Sequence, residues 1–345
     1  MLRTLACAVA LVVTSAGLHP MQAQQAPGSA AQARAWCDGA DGASLEQQIS
    51  GCTAIIESGA NIDLSVTYYN RGVALQATGL RDRAIQDFDE AIRLNPADAD
   101  FLSNRGFVYR AMGQLDRAIQ DFNQAIRLDP KHTMAWNNRG SSWRDKGQLD
   151  LAIGDFDEAI KLDPNHALAY NNRGIALRMK GQPDRAIADY DQAIQINPNY
   201  AFAYSNRGMA FRDKGQHDRS IADYDQAISI NPNLAIVYSN RGMAYRAKGL
   251  DARGIEDFNR AIRLDPNDAA TLYERSLARA KTGDRAGAAA DLAATRRINP
   301  NSDDSRADTS GVTIPSLWTT SRRGMPAGSK LESESSALNT NTHDD

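Results

Sequence analysis

A period of 34 residues constrains the fold of this chain more than any other feature of its sequence. A glycine recurs with this period inside the tripeptide Asn-Arg-Gly, and a second glycine and a proline recur in phase with it. The three series are Gly72, Gly106, Gly140, Gly174, Gly208 and Gly242; Gly79, Gly113, Gly147, Gly181, Gly215, Gly249 and Gly283; and Pro96, Pro130, Pro164, Pro198, Pro232, Pro266 and Pro300. A chain of 345 residues with this pattern is expected to form one long repetitive array rather than two compact domains.

Each repeat is predicted to hold two amphipathic helices. Apolar residues such as Ala84, Phe88 and Ala91 fall at helical spacing, and their copies follow one period later. The first helix is expected over about 67–78 and ends at the turn glycine, which can adopt the left-handed backbone that closes a helix. The second helix is expected over 81–94, and the proline that follows stops it because it lacks a backbone donor. Acidic residues suit the positive end of the second helix, at Asp82, Asp116, Asp150, Asp184 and Asp218.

Small side chains and rings recur where the two helices should cross. Gly72 and Ala84 would let the backbones approach, and the ring of Phe88 would fill the remaining space. The ring position recurs as Phe88, Phe122, Phe156, Tyr190, Tyr224 and Phe258. A single helix pair cannot cover both of its apolar faces, so the pairs are expected to stack on one another. Because each pair adds a small rotation, the stack should curve and present a concave inner face.

This pattern resembles the tetratricopeptide repeat in its period, its helix pair and its key residues. In the first repeat the resemblance is carried by Tyr68, Gly72, Leu75, Ala84, Phe88, Ala91 and Pro96. It extends without a gap over seven repeats, at 65–98, 99–132, 133–166, 167–200, 201–234, 235–268 and 269–302. The seventh departs from the pattern with Ser276, Arg279 and Leu292. A terminal capping repeat would show such changes, and drift of an ordinary repeat is the alternative. The resemblance implies an all-α fold, namely a right-handed superhelical solenoid of stacked antiparallel helix pairs that binds other proteins.

The N-terminus reads as an export signal. Residues 1–23 combine Arg3 with a short apolar run, and cleavage is expected after Ala16 or after Ala23. A flexible linker over 24–35 and a cysteine-bearing helical cap over 36–64 are expected to follow, and a helix from Leu45 to Glu57 is predicted within the cap. The cap is similar to segments found ahead of the repeats in exported proteobacterial proteins of this family. We therefore predict a periplasmic or secreted protein, with no membrane span in the mature chain.

Two of the three cysteines would remain after the signal is removed. Cys7 lies inside the signal, which leaves Cys37 and Cys52. Thiols of an exported chain are usually oxidised, and a disulfide across a loop of this length would contribute about 3 kcal/mol. Two unlinked buried thiols are the alternative reading. The spacing does not bring the further ligands that a zinc site requires.

An arginine and an aspartate recur in every repeat at positions that could pair. The simplest interpretation is a structural salt bridge between the two helices of one repeat, and an anion site is the alternative. The pairs are Arg71 with Asp87, Arg105 with Asp121, Arg139 with Asp155, Arg173 with Asp189, Arg207 with Asp223, and Arg241 with Asp257.

The family resemblance places a second arginine series in the concave groove, together with apolar and amide side chains. These candidate groove residues are Arg110, Arg144, Arg178, Arg212, Arg246, Phe107, Ile175, Met209, Met243, Asn137 and Asn171. Arginine forks beside methionine and small polar groups suit an extended peptide that carries carboxylates and apolar side chains. The alternative is that these arginines only keep the inner face soluble.

Nothing in the sequence indicates a catalytic or cofactor site. No nucleophile, base and orienting group recur together, no glycine-rich loop follows a strand, and the Asn-Arg-Gly tripeptide lies within a helix. Two of the five histidines, His132 and His166, occupy equivalent turns and are expected to be exposed. The formal net charge of -3 does not favour nucleic acid as a partner. Residues 303–345 are polar and are expected to form a disordered tail.

These features favour a non-catalytic adaptor that binds protein or peptide partners and needs no cofactor or metal. Two alternatives stay open. One is a structural scaffold that associates weakly with itself through the ends of the solenoid, and the other is a regulatory subunit of a partner enzyme. The sequence does not identify the partner or the process that the chain serves.

Overall fold

The computed structural model describes residues 26–59 and 63–299 and two dipeptides, 306–307 and 313–314. The predicted signal at 1–23 and most of the predicted tail at 303–345 lie outside these described residues. The chain divides into two compact units, Met1–Pro96 and Ala97–Asp345, and each unit is described by itself.

The first unit contains four α-helices among its described residues. They are α1 (Ala30–Cys37), α2 (Leu45–Glu57), α3 (Leu64–Ala77) and α4 (Arg81–Leu94), with a 3₁₀ turn at Ala40–Gly42. The second helix has the bounds that the sequence predicts. The cap, however, begins earlier than its predicted start at residue 36, because α1 extends into the range assigned to the linker. The Ser29 hydroxyl accepts a hydrogen bond from the Gln32 amide and so starts this helix.

A disulfide joins α1 to α2. The Cys37 and Cys52 sulfurs are 2.09 Å apart, and both side chains are buried with Ala33 and Ile55. Gly51 lets the helices approach this closely, since a Cβ at this position would lie 2.5 Å from the carbonyl oxygen of Ala33. Of the two readings that the sequence left open for the cysteines, the disulfide is confirmed.

The second unit contains twelve α-helices in its described range, and they form six antiparallel pairs. The pairs are α5 (Ala99–Ala111) with α6 (Leu115–Leu128), α7 (Thr133–Asp145) with α8 (Leu149–Leu162), α9 (Ala167–Met179) with α10 (Pro183–Ile196), α11 (Ala201–Asp213) with α12 (His217–Ile230), α13 (Ala235–Ala247) with α14 (Asp251–Leu264), and α15 (Ala269–Lys281) with α16 (Arg285–Ile298). Each second helix from α6 to α14 also packs on the first helix of the next pair. The all-α architecture of stacked helix pairs that the sequence predicts is therefore confirmed.

Two short strands are described beyond the last helix. Strand β1 (Arg306–Ala307) pairs antiparallel with β2 (Thr313–Ile314), with Arg306 opposite Ile314 and Ala307 opposite Thr313. They lie in the range predicted as a disordered tail, and the rest of that range is outside the described residues.

The crossing of the two helices in a pair depends on a glycine and a ring. A Cβ added to Gly140 would lie 2.8 Å from Cε1 of Phe156, which is closer than packed carbon atoms tolerate. The ring of Phe156 is itself fully buried, and burial of such a side chain contributes roughly 2–3 kcal/mol. In the last pair Ser276 replaces the glycine. Leu292 replaces the ring in that pair, so the Cβ of Ser276 does not meet a ring edge.

The turn inside each pair also follows the predicted chemistry. Gly113 has a φ of 73°, which few other residues adopt without strain. The amide of Gln114 donates to the Tyr109 carbonyl and satisfies one of the last acceptors of α5. Within the described ranges, no helix combines the length and apolarity needed to cross a bilayer.

The two turn histidines are not exposed, which corrects the expectation from the sequence. His166 retains 9% of its accessible surface, and the His132 side chain 12%. Each ring caps the helix that follows it, since Nδ1 of His166 accepts from the Ala169 amide at 3.2 Å and Nδ1 of His132 accepts from the Ala135 amide at 3.3 Å. A side chain that accepts from an amide at a helix start takes the place of a water molecule there, so it has to turn towards the helix. The sequence spacing of the two histidines alone did not show this.

The cap at His166 should make stability depend on pH. Burial lowers the pKa of His166 although Asp163 acts in the opposite direction, and the unfolded chain keeps the ordinary value near 6.5. The unfolded state therefore binds the proton more readily, so stability should fall as pH drops below about 6.5. His166→Asn keeps a capping acceptor but does not titrate. We expect the melting temperature to fall less in this variant than in the wild type between about pH 7.5 and pH 5. An equal fall in both proteins would contradict the assignment.

Candidate functional site

The first helices of the second unit form its inner face. Each of them touches the first helix of the next pair, from α5 through α15, whereas successive second helices make weaker contact. A stack that is tighter along one side curves towards that side, so the first helices line a concave surface. We call this surface of α5, α7, α9, α11, α13 and α15 the inner face.

Asparagine side chains connect neighbouring helices beneath the inner face. Nδ2 of Asn172 donates to Oδ1 of Asn137 at 3.1 Å, and Nδ2 of Asn206 donates to Oδ1 of Asn171 at 2.9 Å. Asn137 and Asn171 retain 1% and 3% of their surface. Two residues that the sequence placed in the groove thus lie below it, where their hydrogen bonds join one repeat to the next.

The arginines of the predicted groove are not equivalent. Arg110 and Arg144 both bind Asp145, at 2.8 Å and 3.0 Å, and Arg144 retains only 6% of its surface. Arg178 pairs with Asp213 at 2.9 Å. Arg110 and Arg178 each bind a carboxylate of the next repeat, whereas Arg144 binds the next residue of its own helix. The pairs that cross between repeats stabilise the array, because removing one partner of a buried pair is costly.

The last two arginines of this series differ from the first three. Arg246 pairs with Glu274. Arg212 donates to Oδ1 of Asn240 at 3.2 Å and lies 3.8 Å from the sulfur of Met243. The apolar members of the predicted groove are half-buried and thus reach the surface of the inner face, at Phe107, Ile175, Met209 and Met243.

The other arginine series lies between the two helices of each pair. Nε and Nη2 of Arg173 bind the two oxygens of Asp189 at 2.8 Å and 2.7 Å, and the Asp189 side chain is 8% exposed. The hydrogen bond with Asp189 raises the pKa of Arg173, which therefore stays charged. The six predicted pairs all come together, at 2.7–2.8 Å: Arg71 with Asp87, Arg105 with Asp121, Arg139 with Asp155, Arg173 with Asp189, Arg207 with Asp223, and Arg241 with Asp257.

Four of these arginines in the second unit, Arg139, Arg173, Arg207 and Arg241, also reach back to an earlier helix, which the sequence reasoning missed. Nη1 of Arg173 binds Asp157 of α8 at 2.6 Å, and Nη1 of Arg139 binds Asn123 of α6 at 2.7 Å. The signal was present, because an acid or amide recurs every 34 residues at 123, 157, 191, 225 and 259. A seventh pair, Arg275 with Asp291 at 2.6 Å, was missed as well, although both residues follow Arg241 and Asp257 by one period.

No cluster of histidine, cysteine and carboxylate side chains suited to a metal occurs in the part of the chain that the structure describes. The inner face combines half-buried apolar side chains with arginine and amide groups. Such a surface can bind the side chains of an extended polypeptide, and the guanidinium groups of the surface favour carboxylates among those side chains.

Sequence profiles of the tetratricopeptide repeat match most of this array. They cover residues 69–132, 108–165, 167–200, 189–222 and 235–268, and a profile described as TPR repeat covers 208–249. The matches together run from 69 to 268 with only residue 166 left out, which is more than half of the chain. The chain belongs to the tetratricopeptide repeat family. As such an array it is a scaffold of the kind that binds proteins.

Solved structures show the same fold. The Cut9-Hcn1 assembly of APC/C contains a chain with a TM-score of 0.61 and 20% identity; the alignment covers 75% of this chain but only 50% of that one. A tetratricopeptide repeat protein from Parabacteroides merdae aligns with a TM-score of 0.56 and 21% identity, over 69% of this chain and 94% of that one.

A third structure, the type IV pilus biogenesis factor PilW, has a TM-score of 0.56 and 20% identity, over 59% of this tetratricopeptide chain and 95% of its own. At such identities the likeness concerns the fold alone. No curated protein sequence matches the chain significantly.

Proposed function

We propose that this tetratricopeptide repeat protein is an exported, non-catalytic adaptor that holds partner proteins through extended segments along its inner face. The observation that carries the proposal is the set of half-buried apolar side chains on neighbouring first helices, including Ile175, Met209 and Met243. They offer apolar surface at regular intervals, and methionine adapts its shape to different ligands. Arginines of the same face supply charge for carboxylates.

The disulfide between Cys37 and Cys52 supports the exported location. Structural disulfides persist in oxidising compartments and are rare in the cytosol. We propose a periplasmic or secreted protein whose signal is removed after Ala16 or Ala23. N-terminal sequencing of the chain recovered from the periplasm or the medium tests this, and a chain that stays reduced and begins at Met1 would contradict it.

Photo-crosslinking tests the use of the inner face. A photoreactive phenylalanine analogue in place of Met209 would lie on the inner face. The same analogue in place of Leu151, which is 48% exposed on the second helix α8, is the matched control. We expect partner proteins of the exported fraction to be crosslinked from position 209 and not from 151. Adding Met243→Glu should abolish that crosslink, because it places a charge on apolar surface. Equal capture from both positions would contradict the proposal.

A further inference from the structure

Every arginine of the groove series but one binds a carboxylate of the described residues. Asp145 faces Arg110 and Arg144, Asp213 faces Arg178, and Glu274 faces Arg246. Within the described residues, Arg212 contacts a neutral amide oxygen and a thioether, and no carboxylate lies within ion-pairing distance of it. Arg212 differs from Arg178 in this respect because position 247, which corresponds to Asp213 one repeat earlier, is an alanine.

A buried asparagine holds the guanidinium of Arg212 from below. Asn240 retains 2% of its surface, so it lies under the inner face as Asn137 and Asn171 do, and its Oδ1 accepts a hydrogen bond from Arg212. This contact fixes the guanidinium but does not neutralise its charge. A guanidinium that is held in place and has no carboxylate partner favours an anionic ligand.

Apolar surface flanks this spot on both sides. Met243 lies against Arg212, and Met209 precedes Arg212 by one turn on the same side of α11. Met209 also packs, together with the half-buried Phe202 and Ile236, on the buried cluster around Tyr224. These side chains are held from below and still reach the surface, so they form a firm apolar rim around the charged position.

From these contacts we infer that repeats five and six hold the specificity-determining subsite of the inner face. Arg212, held in place by Asn240, binds the side-chain carboxylate of an Asp or Glu in an extended partner segment. Met209 and Met243 hold the apolar residues that flank it. The inference rests on the proposed function, since it names the chemistry that the adaptor recognises. The earlier repeats contribute less, because their groove arginines already bind Asp145 or Asp213.

The occupant is an internal side chain of a protein rather than a multiply charged ion. The guanidinium of Arg212, which binds no carboxylate of the described residues, matches the single charge of a carboxylate. The apolar rim would be left partly unoccupied by a small anion, whereas a peptide covers it and gains from its burial. First helices lie about 10 Å apart, so about twelve extended residues cross four of them.

The test is selection from a library of random peptides of about twelve residues, fused at their C-termini so that no terminal carboxylate is offered. The full chain serves as bait. We expect selected peptides to share an Asp or Glu flanked by apolar residues. One of them is then synthesised with both ends blocked, together with a form in which its Glu is replaced by Gln. The affinity of each peptide is measured for the wild-type protein and for the Arg212→Gln variant.

We expect Glu→Gln to weaken binding to the wild type roughly tenfold or more and to have little effect on Arg212→Gln, since both changes remove the same contact. Arg127→Gln, an exposed change on α6, should behave as the wild type. Thermal melting shows whether Arg212→Gln stays folded, and Arg212→Met, which keeps an unbranched stem without the charge, gives a second variant if it does not.

The outcomes separate the two proposals. The assignment of Arg212 would be overturned if the selected peptides shared no acidic position. It would also be overturned if the Glu→Gln change in the peptide weakened binding to the Arg212→Gln protein as much as it weakens binding to the wild type. Either result would leave the adaptor proposal standing. A library that yields no binding peptide at all would overturn both.

Discussion

Replacing Arg173 by alanine is expected to lower the free energy of unfolding by about 3–5 kcal/mol. Arg173 binds both oxygens of Asp189, whose side chain is 8% exposed, so the variant would leave a buried carboxylate without its counter-charge. Coulomb attraction is strong in such a site, but the cost of stripping water from the remaining charge dominates when one partner is lost. Urea unfolding followed by circular dichroism measures the change.

Two controls separate the pair from the rest of the contacts of Arg173. Asp157→Asn alters only the outer partner, whose side chain is 54% exposed, and should cost less than about 1 kcal/mol. Arg173→Met combined with Asp189→Leu removes both charges, and it should recover much of the loss because apolar side chains of similar size can replace a buried ion pair. A double variant as unstable as Arg173→Ala would show that the charge itself is not the reason.

Removing the disulfide is expected to lower the stability of the first unit by about 3 kcal/mol. The bond closes a loop between residues 15 positions apart in a short helical segment that has few other buried side chains. Cys37→Ala with Cys52→Ala avoids a buried polar group, since Cys52 is fully buried. Hydrogen exchange should become faster in α2 and stay unchanged in α9, which belongs to the other unit.

Reduction of the wild type gives an independent comparison. The reduced chain and the double alanine variant should show the same loss of protection in α2, because both lack the constraint on the unfolded state. Protection that is identical in the oxidised and reduced chains would mean that the disulfide does not stabilise this unit.

The features of the fold that recur in every repeat could be predicted from the sequence. Gly140 and Phe156 are one of six copies of the same contact, so the period itself shows that a small residue must face a ring. The bounds of α2 followed for a similar reason, since an apolar stripe runs from Leu45 to Glu57. Helix α1 was missed because its alanines and glutamine read equally well as linker, and a disulfide on its last residue keeps it in place.

The features that break the period could not be predicted. The five groove arginines look alike in sequence, but Asp145 and Asp213 occur only in alternate repeats, and Arg212 is left without a carboxylate partner because Asp213 binds Arg178. The inward rotation of His166 depends on the Ala169 amide and on Met134 of the preceding first helix, which is close in space but distant in sequence. Side-chain environments of this kind depend on tertiary contacts that a periodic pattern does not contain.

Hydrogen exchange with a bound partner tests the central claim most directly. The partner captured from position 209, or a selected peptide, is added to the full chain, and exchange is followed helix by helix. We predict slower exchange in α9, α11 and α13, with α10, α12 and α14 unchanged, because the first helices line the surface that the partner covers. Protection confined to the second helices, or spread evenly over both helices of each pair, would contradict the account.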